Sequence, residues 1–435
     1  MKRASYRMSP GGVLRGEVTV PGDKSISHRA VLFGAIAEGV TTVDGFLESE
    51  DCLATLHAMQ AMGVSIERPG PGRVVVHGVG LRGLKAPSAP LDMGNAGTAM
   101  RLSMGLLAGQ GFDSTLVGDP SLTRRPMERA AAPLRLMGAH IVTTDGKPPV
   151  RVQGGVSLRG IEYDLSVPSA QVKSAILIAG LYASGATTVY EHAITRDHTE
   201  RMLRAFGVPV VSAQGSVSLQ GPARLLGTHI DVPGDISSAA FFLVAAALAA
   251  EGRFRILNVG MNPTRIGVIE ILRLMGADIE VERARLVGDE PVADLCVRAV
   301  PLNGIEVPPH LVPLAIDEFP VLFVAAACAR GTTVVSGASE LKVKESDRIA
   351  VMAEGLMALG IHAQATADGM RIEGGVLQGG QVDSHGDHRI AMAFAVAALR
   401  ARADIEIMDV ANVATSFPEF ASLARGVGFR LQAVT

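Results

Sequence analysis

The stretch VPGDKSISHR, residues 20–29, combines the residue types of an anion-binding site. A Pro-Gly-Asp turn precedes Ser25, where the pattern predicts that a helix begins, and Lys24 and Arg29 lie about one helical turn apart on either side of that start. A helix N-terminus offers unpaired N–H groups and about half a positive charge, so cations placed there favour a bound anion. The alternative for this stretch alone is a capped helix with solvated cations.

Two further predicted helix starts carry groups that suit an anion. In GNAGTAMR, the small residues around Asn95 and Gly97 leave backbone N–H groups open to a ligand. In LTRRPMER, Arg124 and Arg125 precede Pro126, which suits the first position of a helix and so places two guanidinium groups at its start. Taken singly, the first motif could be a tight turn and the second a solvated arginine pair.

Polar groups at three later positions fit the same scheme. PSAQVKSA offers the hydroxyl of Ser169 and the amide of Gln171, which can orient a hydroxyl-rich or phosphorylated ligand. TRDHTE adds Arg196, and HGDHR adds Arg389 at another helix start. Alone, each would be an ordinary helix cap or surface cation. Their recurrence predicts that several helix starts gather around two multiply charged anions.

Carboxylates enter in the fifth part of the chain. Asp317 stands beside Glu318 at the start of an apolar helix, where simple capping is the alternative. In ELKVKESDR, Glu345 lies among Lys344, Arg348 and a further lysine. A carboxylate in such a cationic setting is a candidate for acid–base catalysis, although a solvated charge run would read the same way.

Neither histidine motif has the spacing of a strong metal site. His198 lies beside Glu200, and His385 and His388 flank Asp387, but no other residues complete a ligand set for either. A glycine-rich nucleotide triphosphate loop is also missing from the sequence. We therefore expect neither a metal nor a cofactor.

Composition narrows the class of protein. The chain has 435 residues, 48% of them hydrophobic. This length and composition predict a globular protein of two domains with a well-buried interior. The formal net charge of −3 gives no support to a nucleic-acid or acidic-membrane partner. The longest apolar run, Ala239–Ala250, is too short to cross a bilayer. The three cysteines form no paired motif, which favours a reducing, cytoplasmic location.

Six segments repeat one pattern at intervals of about 70 residues. Each begins with a cluster of small or polar residues and continues as an Ala-rich apolar helix, and most then turn into a β-branched strand. The predicted helix starts lie near Ser25, Asn95, Ser169, Ile236, Asp317 and Gly386. A second helix in each segment ends at a glycine, namely Gly63, Gly138, Gly207, Gly276, Gly360 and Gly428. Because the first helices are apolar all round, they should lie inside, with the strands as an outer wall.

The tetrapeptide Val-Pro-Gly-Asp occurs twice, at residues 20–23 and again at 232–235. Three repeats lie between the two copies and three follow the second. The sequence thus predicts one lobe over residues 22–232 and a second lobe made of 1–21 plus 233–435, with hinge crossings near 20–22 and 232–234. Two such crossings imply a cleft that closes on small ligands.

Together, these motifs resemble those of the 5-enolpyruvylshikimate-3-phosphate synthase family, the 3-phosphoshikimate 1-carboxyvinyltransferases. The likeness covers essentially the whole chain. It includes four motifs of the second class of that family, which are GDKxx at 22–26, SAQxK at 169–173, RxHxE at 196–200 and NxTR at 262–265. The resemblance implies an α/β fold of two lobes, each built from three βαβαββ repeats, with helices inside and sheets outside.

The same resemblance implies the substrates and their contacts. Shikimate 3-phosphate would be held by Lys24, Ser25, Arg29, Ser169, Ala170, Gln171, Arg196, Asp317 and Lys344. Phosphoenolpyruvate would be held by Lys24, Asn95, Gly97, Arg125, Gln171, Arg348 and Arg389. No metal, cofactor, nucleic acid or membrane is implied, and we expect a monomer.

The reaction implied is an addition followed by an elimination. The 5-hydroxyl of shikimate 3-phosphate adds to C2 of phosphoenolpyruvate while C3 takes a proton, and the tetrahedral adduct then expels phosphate. Asp317 is the hypothetical base on the hydroxyl, and Glu345, together with Lys24, is the hypothetical proton donor at C3.

Two departures from the family pattern affect the phosphoenolpyruvate side. The second class is known for low sensitivity to the herbicide glyphosate, yet Gly97 occupies the position where the best-known insensitive members carry alanine. Near the C-terminus, ATSFPEF has Thr415 where some members carry a lysine. One phosphoenolpyruvate contact is therefore lost or supplied elsewhere.

Two other functions compete with this interpretation. A UDP-N-acetylglucosamine enolpyruvyl transferase usually has asparagine after the early lysine and a reactive cysteine before its Arg-Pro. Here Ser25 follows Lys24, and GDPSLTRRP contains no cysteine. A non-catalytic anion-binding relative would be expected to lose Asp317 or Glu345, and both are present.

Overall fold

The computed structural model describes residues 4–11, 13–213, 215–249 and 252–434. Among these residues, no helix is both long and apolar enough to cross a membrane. The chain divides into two compact units. The first contains Met1–Pro21, Pro233–Leu286 and Glu290–Thr435, and the second contains Gly22–Val232 and Val287–Asp289.

Twelve α-helices are present in the described ranges. They are α1 (Lys24–Ile36), α2 (Glu50–Ala61), α3 (Gly97–Leu107), α4 (Glu128–Leu136), α5 (Ala170–Gly180), α6 (His198–Ala205), α7 (Ile236–Leu248), α8 (Gly267–Leu274), α9 (Phe319–Ala327), α10 (Arg348–Ala358), α11 (His388–Ala397) and α12 (Phe420–Gly426). Short 3₁₀ turns occur at Leu122–Arg124, Pro309–Leu311, Pro313–Ala315, Ser339–Val343, Ala398–Arg400 and Ala411–Thr415.

The strands are β1 (Ser5–Ser9), β2 (Glu17–Thr19), β3 (Glu38–Asp44), β4 (Ser65–Gly70), β5 (Arg73–Val79), β6 (Leu91–Asp92), β7 (Ser114–Val117), β8 (His140–Thr144), β9 (Lys147–Gln153), β10 (Glu162–Leu165), β11 (Gly185–Glu191) and β12 (Val210–Ala213). They continue with β13 (Ser216–Gly221), β14 (His229–Asp231), β15 (Arg253–Gly260), β16 (Asp278–Val287), β17 (Glu290–Arg298), β18 (Thr332–Val335), β19 (His362–Ala365), β20 (Met370–Glu373), β21 (Gly380–Asp383), β22 (Ile405–Met408) and β23 (Arg430–Val434).

The second unit holds three four-stranded sheets of one design, with orders β14-β3-β5-β4, β6-β7-β9-β8 and β10-β11-β13-β12. In each, the first strand runs parallel to the second, and the remaining neighbours are antiparallel. Residues 91–153 follow the order βαβαββ without interruption. The parallel strand of the first sheet instead comes from β14, at the far end of this unit.

The first unit repeats the design in the orders β2-β15-β17-β16 and β21-β22-β1-β23, with a three-stranded sheet β18-β20-β19. In that last sheet the place of the parallel strand is taken by isolated parallel bridges, Asn303 with Arg330 and Glu306 with Val334. The N-terminal segment supplies β1 and β2 to two of the sheets. Six repeats of related βαβαββ design therefore build the chain, as the fold class inferred from its sequence requires.

The first helix of each repeat lies in the core. All residues of α7 and α9 are buried, because their apolar side chains surround the whole helix and every face needs a nonpolar neighbour. Each unit has its own hydrophobic cluster around these helices. The prediction of helices inside and sheets outside is confirmed; Ala250, the last residue of the predicted apolar run, lies outside the described residues.

The helix boundaries also follow the sequence signals. The six first helices begin within two residues of the predicted starts. All six predicted stop glycines adopt a left-handed conformation, with φ between 84° and 115°. That conformation is open to glycine without the steric cost that a Cβ brings, so each glycine ends its helix and redirects the chain into a strand.

One helix start was predicted wrongly. Pro126 does not occupy the first position of a helix, because α4 begins at Glu128 with Met127 as its N-cap residue. The backbone N–H groups of Met127 and Glu128 donate to the carbonyl of Gly146 at 2.7 and 3.2 Å. Arg125 is extended, with φ −82° and ψ 144°, as residues before proline usually are.

Candidate active site

The start of α1 is organised by two carboxylates. Asp23 is the N-cap residue and accepts a hydrogen bond from the Ile26 N–H at 2.9 Å, so the helix begins at Lys24, one residue before the predicted start. The Lys24 ammonium forms a salt bridge with Asp51, which lies in the first turn of α2. Asp51 was not among the predicted site residues. The pair joins the start of α1 to the start of α2.

Arg29 is buried and hydrogen-bonded to three elements. Its Nη1 donates to the Ser25 carbonyl at 2.9 Å, its Nε to Thr199 Oγ1 at 2.7 Å, and its Nη2 to Ser174 Oγ at 2.8 Å. Ser174 belongs to α5 and Thr199 to α6. These bonds bring α1 together with the two helix starts that carry Ser169, Ala170 and Arg196.

The α5 start shows the expected capping geometry. Ser169 is the N-cap residue, and its hydroxyl accepts a hydrogen bond from the Val172 N–H at 3.4 Å, while Ala170 is the first helical residue. Arg196 lies in the connection between β11 and α6 and is half-buried. Backbone N–H groups of Ala170 and Gln171 therefore lie at a helix N-terminus, where they are available to an anion.

Asn95, Gly97 and Arg125 lie together at the start of α3. Arg125 donates a short hydrogen bond through Nη2 to Asn95 Oδ1, and Asn95 Nδ2 donates to Asp119 at 2.7 Å. A Cβ on Gly97 would lie 2.9 Å from Arg101 Nη1 and 3.3 Å from Arg125 Nη1. The absence of a side chain at Gly97 therefore leaves room for two guanidinium groups beside a helix N-terminus.

Gln171 is held by residues of α3. Its Oε1 accepts a hydrogen bond from Arg101 Nη1 at 2.6 Å, and its Nε2 donates to Thr98 Oγ1 at 2.9 Å. Arg101 also donates to the Pro126 carbonyl at 2.8 Å. One arginine therefore joins the predicted glutamine to the loop that carries Arg125.

In the first unit, Asp317 lies between two predicted cations. Its Oδ1 is 3.2 Å from Lys344 Nζ and 3.5 Å from Arg348 Nη1. Its side chain is 13% exposed, against 1% for Arg348 and 26% for Lys344. Asp317 does not cap α9, for which no side-chain cap hydrogen bond is formed. It is instead a partly accessible carboxylate fixed by two positive charges.

Arg348 lies at the centre of the charged side chains around Asp317. Its Nη2 lies 2.5 Å from Glu345 Oε2, and its Nε donates to Asp387 Oδ2 at 2.8 Å. Burial disfavours the charged form of Arg348, yet its pKa is raised above the ordinary value of an arginine. The carboxylates of Asp387, Glu345 and Asp317 cause this rise, in that order of effect. Arg348 is therefore a permanent cation that holds both proposed catalytic carboxylates.

Arg389 completes the set from the first turn of α11. Its Nη1 donates to the Asp317 carbonyl at 3.1 Å and lies 3.8 Å from Glu318 Oε1. Asp387, the fully buried N-cap residue of α11, accepts a hydrogen bond from the Arg389 N–H at 2.9 Å. Asp387 therefore fixes Arg389 and Arg348 together. Asp387 thus contacts these two arginines, although His385 and His388 flank it in the sequence.

A buried network of charged and polar side chains includes Glu318, the residue that follows Asp317. Arg265, from the NxTR motif, lies 3.1 Å from Asp235 Oδ1, donates to Ser237 Oγ at 2.7 Å and is 3.9 Å from Glu318 Oε1. Ser237 donates a short hydrogen bond to Glu318. Because Asp235 belongs to the second Val-Pro-Gly-Asp copy, these contacts connect that tetrapeptide to Glu318, the residue beside Asp317.

The predicted residues thus fall into two sets, one in each unit. The set in the second unit contains Lys24, Ser25, Arg29, Asn95, Gly97, Arg125, Ser169, Ala170, Gln171 and Arg196. The set in the first unit contains Asp317, Lys344, Glu345, Arg348 and Arg389. The second unit supplies helix N-termini and cations that suit phosphates and carboxylates, and the first supplies two carboxylates held by cations.

Sequence reasoning missed several residues that hold these sets in place. For Arg101 a signal existed, because a cation within an apolar helix one turn after Gly97 needs a polar partner. For Asp51, Ser174 and Thr199 the sequence carries no comparable signal, since their partners, Lys24 and Arg29, lie on another helix. Among the described residues, two side-chain groups could share a metal ion, Asp44 with His229 and Asp231, and Glu280 with Glu282 and Cys296. Neither group includes a predicted site residue.

Comparisons with known proteins address the whole chain. Residues 8–423 match the family model described as EPSP synthase (3-phosphoshikimate 1-carboxyvinyltransferase). A 3-phosphoshikimate 1-carboxyvinyltransferase of Methylococcus capsulatus is 61% identical over 432 residues, 99% of each chain. One from Alkalilimnicola ehrlichii is 62% identical over 428 residues, covering 98% of this chain and 96% of the relative.

A solved structure gives the same result for the fold. The 2.37 Å structure of EPSP synthase from Acinetobacter baumannii aligns with a TM-score of 0.89 at 55% identity. The alignment covers 99% of this chain and all of the other. The sequence relatives and the structural neighbour share one family, and both match the chain over nearly its full length. The chain belongs to the EPSP synthase (3-phosphoshikimate 1-carboxyvinyltransferase) family.

Proposed function

We propose that the chain transfers the enolpyruvyl group of phosphoenolpyruvate to the 5-hydroxyl of shikimate 3-phosphate and releases phosphate. Family membership makes it an enolpyruvyl transferase that uses these two substrates. The observation in the structure that best supports the reaction is the pairing of Asp317 and Glu345 with one buried guanidinium, Arg348. When two carboxyl groups are fixed close to one cation, one can accept a proton while the other donates one.

We propose that the anions are shared among the cations and helix starts of both sets. Arg29, Ser169 and Arg196 would bind the phosphate of shikimate 3-phosphate with the backbone N–H groups of Ala170 and Gln171. Arg125, with the turn at Asn95 and Gly97, would bind phosphoenolpyruvate. Lys24 would contact both substrates, and binding would draw its ammonium away from Asp51. Charge-assisted hydrogen bonds of this kind are the stronger class.

The first unit would supply the remaining contacts. Lys344 would add to the binding of shikimate 3-phosphate, and Arg348 and Arg389 to that of phosphoenolpyruvate. In this arrangement Asp317 accepts the proton of the 5-hydroxyl as the oxygen attacks C2. Lys344 and Arg348 keep its carboxylate in one orientation, which is what a general base requires.

Glu345, assisted by Lys24, would deliver the proton to C3. Addition then yields a tetrahedral adduct in which C3 is a methyl group. In the elimination the C2–oxygen bond to phosphate breaks, C3 returns a proton to Glu345, and the double bond re-forms. The cations that hold phosphoenolpyruvate also stabilise the charge of the departing phosphate.

The oligomeric state and the location belong to the proposal as well. We propose that the chain acts as a monomer, because the proposed groups all come from one chain. We also propose a cytoplasmic location. The mass from sedimentation equilibrium and the fractionation of tagged protein would test these two points. A stable dimer or a membrane-bound fraction would contradict them.

The acceptor assay tests the proposed function against its rivals. Phosphate release from phosphoenolpyruvate is measured with shikimate 3-phosphate and, separately, with UDP-N-acetylglucosamine. We expect release with the first acceptor alone. Release with the second acceptor would instead identify the UDP-N-acetylglucosamine enolpyruvyl transferase, whereas no release with either would favour an anion-binding relative without catalysis. The names of the sequence relatives favour the first outcome.

A further inference from the structure

Lys173 is a buried lysine that lies between two carboxylates. Its side chain is 1% exposed, and its Nζ lies 2.9 Å from Glu191 Oε2 and 2.7 Å from Glu200 Oε1. Glu200 is as deeply buried as Lys173, and Glu191 is 8% exposed. None of the three belongs to the proposed sets. Lys173 ends the SAQxK motif and Glu200 ends the RxHxE motif, so the two motifs meet through their last residues.

This cluster fixes the segment that carries Arg196. Glu191 is the last residue of β11, and Glu200 lies in the first turn of α6. Between them, Lys173 Nζ donates to the Thr195 carbonyl at 3.5 Å, and the Thr195 hydroxyl donates a short hydrogen bond to Glu191. The connection is thus anchored at its beginning, at the residue before Arg196, and at the helix that follows.

The same pair of helices also fixes Arg29. Ser174 follows Lys173 on α5, and Thr199 precedes Glu200 on α6. Their hydroxyl oxygens lie 2.7 Å apart, and each accepts a hydrogen bond from Arg29. Two adjacent residues of α5 therefore contact two adjacent residues of α6. A small displacement of α6 would therefore move two things at once, the Thr199 hydroxyl that contacts Arg29 and the segment that carries Arg196.

We propose that the ion pair of Lys173 and Glu200 is a positioning element that sets Arg29 and Arg196 for the phosphate of shikimate 3-phosphate. The inference rests on the proposed function. Neither residue touches the substrate in this scheme. Replacing a buried ion pair with apolar residues of similar volume is often neutral or stabilising, so we assign the value of this charged pair to the contacts that it directs. Binding of phosphoenolpyruvate should depend much less on it, because Asn95 and Arg125 have other supports.

The test uses Glu200→Gln, which keeps the shape of the side chain and removes its charge. Isothermal titration gives the Kd for shikimate 3-phosphate without phosphoenolpyruvate, and steady-state phosphate release gives both KM values and kcat. We expect the Kd and KM for shikimate 3-phosphate to rise about tenfold. A misplacement of 1 Å can cost about a hundredfold, and we expect a smaller shift here. The KM for phosphoenolpyruvate and kcat should stay within about twofold of the wild type.

Two further variants distinguish positioning from lost stability. Val150→Ala removes core volume from β9 in the same unit at a residue outside both sets, and it should lower the melting temperature but leave both KM values unchanged. Lys173→Met, combined with Glu200→Gln, should weaken shikimate 3-phosphate binding by less than the product of the two single effects, because both act through one contact. If Lys173→Met fails to fold, Glu200→Gln against Val150→Ala decides the question.

The outcomes separate the inference from the proposed function. A wild-type protein that neither binds shikimate 3-phosphate nor releases phosphate with it would overturn both. If the wild type is active and Glu200→Gln binds shikimate 3-phosphate as tightly as the wild type, the inference alone is wrong. Equal losses for both substrates would also overturn it, because they indicate a general structural role.

Discussion

Asp317 is the residue on which the proposed chemistry depends most. Replacing it with asparagine keeps the size of the side chain but removes the proton acceptor for the 5-hydroxyl. We expect Asp317→Asn to lower kcat by about a thousandfold, within the range usual for general-base removal, with KM values changed much less. Phosphate release under saturating substrates measures this.

A matched control for that variant is Asp278→Asn. Asp278 lies in the same unit and also pairs with an arginine, Arg298, at 3.5 Å, but at the surface. We expect normal turnover for this control. Near-normal turnover of Asp317→Asn would show that another group accepts the proton.

Gly97 allows a second prediction at the scale of one residue. A methyl group there would lie 2.9 Å from Arg101 Nη1 and 3.3 Å from Arg125 Nη1, so both guanidinium groups would have to move. We expect Gly97→Ala to raise the KM for phosphoenolpyruvate about tenfold and to leave that for shikimate 3-phosphate nearly unchanged. Gly111→Ala is the control, because a Cβ at Gly111 meets no atom within 4 Å. An unchanged KM for phosphoenolpyruvate in Gly97→Ala would remove Arg125 from its proposed role.

Sequence reasoning reached the predicted residues through their position rather than their partners. Small or polar residues at the starts of apolar helices were visible in the chain, which is why Arg29, Gln171 and Arg389 could be named. Asp387 was visible too, but its neighbouring histidines suggested a metal as the alternative, whereas in the structure it accepts from Arg348. Which carboxylate faces which guanidinium depends on tertiary contacts within and between repeats, and a single sequence does not record those contacts.

At the scale of elements, the contact between α1 and α2 contains a buried histidine. His28 is fully buried, and its Nδ1 lies 2.7 Å from Thr55 Oγ1. Burial, followed by the charges of Lys24 and Arg29, lowers the pKa of His28 well below its ordinary value. The folded protein therefore keeps His28 neutral at a pH where the unfolded chain takes up a proton.

This difference makes stability depend on pH in a defined direction. Above about pH 6.5, His28 is neutral in both states and contributes no pH dependence. Below it, only the unfolded chain gains the proton, so the free energy of unfolding falls by about 1.4 kcal/mol per pH unit from this group, down to its folded pKa. We expect His28→Asn to remove that part of the slope, as measured by urea unfolding at pH 7.5 and 5.5. The exposed His57→Asn should keep it, and identical slopes for His28→Asn and the wild type would contradict the assignment.

The repeat pattern explains why the elements were easier to predict than the strand pairing. Glycine stops and apolar first helices are local signals, and all six of each appear in the structure. The pairing of β14 with β3, and of β2 with β15, joins residues far apart in the chain. The wrong start at Pro126 arose because Gly146, in a later turn, accepts the N–H groups that would otherwise begin the helix.

At the scale of the whole molecule, each Val-Pro-Gly-Asp copy places its glycine in close contact with another segment of that glycine's own unit. A Cβ on Gly22 would overlap the carbonyl oxygen of Gly45, a glycine with φ 77°. Gly234 approaches Asn258 in the corresponding way, and its N–H donates to the Asn258 carbonyl at 2.8 Å. Asn258 is also left-handed, with φ 56°. We retain the prediction that these two crossings act as a hinge.

Gly22→Ala tests the close approach at the first crossing. The added methyl must push the backbone of Gly45 away, and overpacking of this kind usually costs about 1–3 kcal/mol. We expect a melting temperature lower by several degrees, measured by scanning calorimetry. Gly426→Ala, in a helix where a Cβ meets no atom within 4 Å, should not lower it. A Gly22→Ala protein as stable as the wild type would mean that the crossing is loosely packed.

The proposed reaction joins phosphoenolpyruvate to shikimate 3-phosphate by addition and elimination. The most direct test is the reaction in deuterium oxide, with the product analysed by NMR and mass spectrometry. Addition converts C3 into a methyl group that carries a solvent deuteron, and elimination removes only one of its hydrogens. We expect an enolpyruvyl ether of shikimate 3-phosphate with deuterium at C3, and free phosphate in equal amount. A product without deuterium at C3, or phosphate released without that ether, would contradict it.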